Sequence, residues 1–198
     1  MAPTFGGISV SEDDVVATVL SRLEGLGLEY MIVGSYASNA YGRPRGSFDA
    51  DVVARVVAGD AQRIFDAFKD DFAVEEQALA RDLAAGRMFN LIPFSGMFKV
   101  DVIPVRQTEF ARTEFARRRR VQAIGRSVWM ASPEDTILFK LSWFQQGDGV
   151  SARQVEDARD VYHAQKGDLD EAYLDRWAAE LGVMPELTRI RQADQASR

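Results

Sequence analysis

Asp49 and Asp51 stand at the head of an apolar run, "SFDADVVARV", in which Val52, Val53 and Val56 give the character of a buried strand. In a strand, residues i and i+2 project from the same face, so the two carboxylates lie a few ångströms apart. Such a pair repels, and one member holds a proton unless a cation sits between them. Asp101 repeats the pattern in "FKVDVIPV". If that segment is a strand beside the first, three carboxylates meet at one spot. A divalent metal would resolve the electrostatic conflict, and a metal pair suits phosphoryl chemistry because it holds the attacking and leaving oxygens together. The chain has no cysteine and a single histidine, His163, so any metal is held by oxygen, which favours magnesium or manganese. The plain alternative is an exposed edge strand that carries its aspartates into water.

The preceding stretch, "VGSYASNAYG", weighs against that alternative. A short strand ending at Gly34 and Ser35, followed by a helix, presents free backbone N–H groups and the positive end of a helix dipole. Gly34 permits close approach of a phosphate, and the Ser35 hydroxyl donates to it. An anion cradle followed by a carboxylate pair is a site for a metal–triphosphate, and the combination is far more specific than either half. Further along, Lys140 borders the apolar face formed by Ile137, Leu138, Leu141 and Phe144. It is either a snorkelling lysine or a point charge for phosphates. Arg153, Asp157 and Asp160 share one helix face, so Asp157 is either half of a surface ion pair with Arg153 or a site residue.

Gly-Ser, a short spacer, then Asp-x-Asp on the next strand resembles the polymerase-beta-like nucleotidyltransferase superfamily. The match is Gly34, Ser35, Asp49 and Asp51, with Asp101 as third carboxylate. "YGRPRGSFDADVV" is most similar to the small bacterial members, the abortive-infection, toxin-type and antibiotic nucleotidyltransferases. Arg45 matches an arginine of that pattern, and Ser47 stands where threonine is usual. "SPEDTILFKLSWF" and "RQVEDARDVY" resemble the helical region in which a lysine and a later aspartate complete the site, here Lys140 and Asp157.

The resemblance implies transfer of a nucleoside monophosphate from an NTP donor such as ATP to a hydroxyl acceptor, with release of pyrophosphate. Asp49, Asp51 and Asp101 would hold Mg²⁺ (or Mn²⁺), with Asp101 also helping to take the acceptor's proton. Gly34, Ser35, Arg45, Lys140 and Asp157 would serve the nucleotide. The acceptor is left open among a tRNA or other RNA end, a protein and a small molecule, and a toxin–antitoxin pairing would add an antitoxin-type protein partner. Two other readings use the same residues: a non-catalytic nucleotide-binding regulator, and a metal-dependent phosphohydrolase or nuclease.

The elements that must position these residues read as an α+β fold, a mixed β-sheet flanked by helices with a helical C-terminal part. The 198 residues suit an α/β core over 1–131 and a helical region over 132–198. Ser11 with Asp14 reads as a capping box before a helix that stops near Gly25. "LEYMIVG" reads as a strand, "SYASNAYG" as a short helix closed by Gly42, and "RPRG" as a loop. Asp60 is placed to cap a helix, and "EEQALARDLAAG" reads as another. "RMFNLIPF" and "MFKVDVIPV" form a hairpin, "QTEFARTEFARRRR" is helical, and "SVWMA" is the last strand. Ser132 then opens a helix to Gly147, a second runs from about residue 150 to Gln165, and "DEAYLDRWAAELG" gives a third.

No stretch approaches the ~20 apolar residues of a membrane span, and the first residues lack a signal-peptide pattern. A cytoplasmic setting and no membrane partner are the expectation. The net charge of −6 offers nucleic acid no global attraction. The run "ARRRRVQ" is a local exception, read as a solvated helix end or as a phosphate or RNA contact. The tryptophans read as core residues or as a stacking surface for a base.

Overall fold

Ser11 accepts a hydrogen bond from the Asp14 amide while Asp14 accepts from the Ser11 amide, and this reciprocal cap opens α1 (Glu12–Gly25). The computed structural model describes residues 11–96, 98–147 and 151–196. After α1 come β1 (Tyr30–Val33), α2 (Gly34–Tyr41), β2 (Asp49–Ala54), α3 (Ala61–Phe68), β3 (Phe72–Ala73), α4 (Glu76–Ala84), β4 (Phe89–Pro93) and β5 (Lys99–Pro104). Then follow α5 (Glu109–Ala116), β6 (Arg119–Ala123), β7 (Arg126–Met130), α6 (Pro133–Gln146), α7 (Ala152–Ala164), α8 (Glu171–Glu180) and α9 (Met184–Ala196). The expected start of α7 at residue 150 lies outside the described residues. Among the described residues no helix is long and apolar enough to cross a membrane.

The strands form one mixed sheet in the order β3-β4-β5-β2-β1-β7-β6, an α+β architecture. β2 is parallel to β5 and antiparallel to β1, and β4–β5 is the expected hairpin. Alternation divides the sheet between two environments. Ala50, Val52, Ala54, Val100 and Val102 join the large apolar cluster built with Val16, Val19 and Leu23 of α1, Ile64 and Phe68 of α3, and Leu79 and Leu83 of α4. Val53 and Ile103, from the opposite face, pack with Met31, Val33, Phe115 and Phe139. The carboxylates share this second face. A third cluster, including Leu138, Leu141, Ala158, Leu174 and Trp177, ties α6, α7 and α8 together.

Three expectations are corrected. Asp60 stands at the N-cap position of α3 but makes no side-chain cap bond: it ends a 3₁₀ turn over Ala58–Asp60 and its carboxylate accepts from the Val57 amide instead. A final helix, α9, follows the three that were expected. The arginine run is not a helix end: α5 stops at Ala116, and Arg119–Ala123 pairs antiparallel with β7. The hairpin turn is Ile124-Gly125, both at positive φ (48° and 71°), as a two-residue turn of the right hand for a hairpin requires. Ile124 is a poor residue for that geometry, which is why the hairpin is hard to see in the sequence. The arginines are engaged within the protein. Arg117 lies 3.2 Å from Glu134 and over the Tyr173 ring, Arg118 lies 2.6 Å from Glu29, and Arg120 lies over Trp129. His163 is exposed on α7.

Candidate active site

The parallel register of β2 and β5 sets Asp51 opposite Asp101 and Asp49 opposite Lys99. Gly34, where β1 turns into α2, has φ +63°, and a Cβ there would lie 2.0 Å from Asp51 Oδ2. Glycine is therefore required twice over, for the left-handed backbone and for the space its missing side chain leaves to Asp51. Burial, then the charges of Asp49 and Asp101, push the Asp51 carboxyl up to about 6, against the pull of Lys140 and Lys99. Asp101 is buried on β5, where it accepts from Asn90 Nδ2 on one oxygen and from the Lys99 ammonium on the other. The same ammonium lies 3.8 Å from Asp49 Oδ2. Ser47 Oγ donates to Asp49 Oδ1 at 3.1 Å.

Across Gly34 the site is cationic. Ser35 sits in the first turn of α2, whose N-cap, Val33, offers no side-chain acceptor to the helix. Arg45 Nη2 and Lys140 Nζ both donate to Ser35 Oγ, at 3.1 and 3.4 Å. Asp157 holds the two cations: Arg45 grips it through Nε at 2.9 Å and Nη2 at 2.6 Å, and Lys140 reaches it at 2.7 Å. Asp157 thus turns inward to Arg45 and Lys140 and is not half of a surface pair with Arg153. Burial raises the Asp157 carboxyl, but the bonds and charges of Arg45 and Lys140 outweigh it and hold the group below the ordinary range. Burial and the charge of Arg45 draw Lys140 below the usual lysine value, against the pull of Asp157. Lys140 is 2% exposed and does not snorkel.

Local structure explains how residues 112 positions apart meet. Asn39 on α2 bonds the Arg45 backbone from both sides, at 2.7 and 3.1 Å, and so anchors the loop that carries Arg45. A Cβ on Gly42 would lie 2.9 Å from the Val161 amide nitrogen. The bare glycine lets α7 approach the end of α2, which brings Asp157 within reach.

All eight expected site residues belong to one connected cluster of contacts. Asn90 and Lys99 were not among them, although Lys99, two residues before Asp101, had the strand spacing that shows it shares a face with it. The three expected carboxylates come together beside the Lys99 ammonium. Among the described residues no group of three or more His, Cys, Asp or Glu side chains, as they stand, is arranged to hold a metal ion. The Lys99 ammonium contacts Asp101 and faces Asp49 as well. The donor set still fits a hard divalent cation. It is all oxygen, and burial first, then the charges of Asp49 and Asp101, raise the Asp51 carboxyl despite Lys140 and Lys99.

No family model matches the chain, and no curated protein matches it as a relative. Its architecture does match solved structures. An antigenic nucleotidyltransferase-like protein from Paracoccidioides brasiliensis is 20% identical, with 92% of each chain covered and a TM-score of 0.56. The antibiotic-resistance factor ANT(2'')-Ia is 13% identical, with 90% of this chain and 97% of that one covered and a TM-score of 0.58. The chain has the nucleotidyltransferase fold. The lincosamide antibiotic adenylyltransferase LnuA, 14% identical over 77% of this chain and 96% of its own, has a TM-score of 0.50. At such identities the likeness is one of fold, and it agrees with the resemblance carried by Gly34, Ser35, Asp49, Asp51 and Asp101.

Proposed function

We propose that the protein transfers a nucleoside monophosphate from an NTP to a hydroxyl acceptor and releases pyrophosphate. The observation that carries this reading is the convergence of the α2 N-terminus, Arg45 and Lys140 on Ser35, one glycine away from the carboxylates of β2 and β5. Phosphates on Ser35 meet two cations already fixed by Asp157, so little ordering is needed at the moment of binding. A triphosphate so placed would turn its α-phosphorus toward the carboxylates of β2 and β5. Asp49, Asp51 and Asp101 would hold Mg²⁺ (or Mn²⁺), and the bound metal would supply charge neutralisation at the phosphate oxygens and a lower pKa for the attacking hydroxyl. The residues themselves orient the triphosphate and present carboxylate oxygens to the incoming acceptor. Positioning and charge account for most of the rate in phosphoryl transfer.

The Lys99–Asp101 contact supports a second reading, a protein that binds nucleotide to control a partner and transfers nothing. Thermal unfolding with each of the four NTPs, with and without Mg²⁺, tests the first step for both. A ligand of the native state raises the melting temperature by mass action. A Mg²⁺-dependent rise that the Asp49→Ala/Asp51→Ala double variant loses is the expected outcome. No rise with any NTP at millimolar concentration would overturn both readings. Slow release of pyrophosphate from the bound NTP then marks the transferase, orthophosphate marks a hydrolase, and neither product marks the regulator.

A further inference from the structure

The three carboxylates are not equally provided for. Asp101 is buried, and both of its oxygens already accept from the protein, one from Asn90 Nδ2 and the other from the Lys99 ammonium. Asp49 accepts from Ser47 Oγ on Oδ1 and has Oδ2 3.8 Å from the same ammonium. Asp51, under Gly34, accepts a hydrogen bond from none of the described residues. One side of the corner thus has a cation of its own, and the other is open.

The fold fixes that cation in place. Lys99 shares a sheet face with Asp101 two residues on, and the β2–β5 register sets it across from Asp49. A buried carboxylate needs compensating charge or hydrogen bonds, and Lys99 with Asn90 supplies both to Asp101. Charge then limits what else the corner accepts. Three carboxylates and one ammonium leave two negative charges, which a single divalent ion cancels. Metal pairs that act on phosphates sit about 3.5–4 Å apart on shared oxygens. The second place in such a pair would draw on the oxygens of Asp101 and Asp49, and there a further ion would meet the repulsion of the Lys99 ammonium. A cation carried by the chain also cannot dissociate, so it stays whatever the metal concentration.

We propose that the carboxylate corner takes one divalent ion and that the Lys99 ammonium is its second, built-in cation. The use of that ion in transfer rests on the transferase reading above; its binding and its number do not. Asp51 and Asp49 would hold it, together with the capacity that Asp101 keeps beside Asn90 and Lys99. Lys99 acts through Asp101 and the ion, as a positioning residue. It keeps Asp101 ionised and in place, and it leaves positive charge beside these oxygens when the ion departs.

Counting the Mn²⁺ ions bound by the full chain without nucleotide, by electron paramagnetic resonance up to millimolar metal, tests the proposal. The chain is acidic, with a net charge of −6, so ions held elsewhere are subtracted with the Asp49→Ala/Asp51→Ala variant. Wild type should hold one ion more than that variant, with the spectrum of an isolated Mn²⁺. Lys99→Met and Lys99→Gln remove the charge and keep most of the stem, and each should hold two more. Ions that share carboxylates couple magnetically, so the neutral variants should also show a broadened, spin-coupled spectrum. Lys99→Arg keeps the charge and should hold one. A lysine with a structural role alone would move the melting temperature and leave the count and the spectrum unchanged. Wild type with two ions or none, neutral variants that stay at one, or Lys99→Arg with two overturns the built-in cation. The expected counts in a protein that shows no shift with any NTP would instead break the transferase reading and leave the cation's role standing.

Discussion

Asp157 and Asp51 both lie within electrostatic reach of Lys140, one from the helical side of the cleft and one from the sheet, and the protein treats them oppositely. Asp157 is buried between two cations and held as a carboxylate below its ordinary range. Asp51 is wedged under Gly34 beside two other carboxylates and pushed up to about 6. The first corner is held together without a ligand: Arg45 and Lys140 share the Asp157 carboxylate, and what it offers a ligand is the remaining positive charge and the Ser35 hydroxyl. The second is short of positive charge in spite of Lys99. A finished corner positions, whereas an unfinished one waits for charge that a ligand brings.

The substitution with the largest expected effect attacks the unfinished corner. On the proposed transferase reading, Asp51→Asn should lower nucleotidyl transfer by about a thousand-fold or more, since an oxygen proposed to hold the metal would be worth several kcal/mol at the transition state. In metal-free protein the same change should stabilise the fold. A folded acid with a raised pKa contributes stability that is whole below its ordinary value of 3.8 and is lost as pH rises through about 6. The wild type should therefore lose on the order of 3 kcal/mol across that window, and Asp51→Asn should not. Urea unfolding at pH 4 and pH 7.5 in the presence of a chelator measures the difference. A variant less stable than wild type at pH 7.5 would show that Asp51 is compensated after all.

The finished corner should respond the other way. Asp157→Ala leaves the buried Lys140 ammonium beside the part-exposed Arg45 with no carboxylate, and breaking a buried pair in this manner costs about 3–5 kcal/mol. Its cost should appear in urea unfolding at neutral pH without any nucleotide present. Asp157 shifts downward, so its contribution is present above the ordinary value of 3.8 and fades as pH falls below it. Wild type and variant should therefore converge in acid. Equal stability at neutral pH would mean that the cations do not need Asp157.

Much of this comparison is legible in the sequence, because it rests on short-range pattern. The strand period places Asp49 with Asp51, and Gly-Ser after a short apolar run marks a helix N-terminus aimed at an anion. What is not legible depends on contacts between distant segments. Asp157 reads as a partner of Arg153 on its own helix, and only the packing of α7 against bare Gly42 turns it inward to Arg45. Lys140 reads as a border lysine because helical periodicity does not see the second layer that buries it. The strand at Arg119 is hidden by the Ile124-Gly125 turn, which lacks the usual Asn-Gly signal. Lys99 is visible by spacing, but its role depends on the β2–β5 register that sets it against Asp49.

Lys99 yields the smallest effect and the sharpest division between the two corners. Its ammonium contacts Asp101 and stands 3.8 Å from Asp49, so it competes with any divalent cation for the same oxygens. Partial burial lowers its pKa, but Asp101, Asp49 and Asp51 outweigh that and keep it charged. The side chain is about a third exposed, and a partly exposed ion pair is worth about 1 kcal/mol at most. Lys99→Met should therefore cost little stability and tighten Mn²⁺ binding by about fivefold, the equivalent of that ion pair. Mn²⁺ titration followed by electron paramagnetic resonance measures the affinity without any turnover. Weaker Mn²⁺ binding in the variant would mean that Lys99 helps assemble the carboxylates and does not compete for them, and the sheet side of the cleft would then be as self-contained as the helical side.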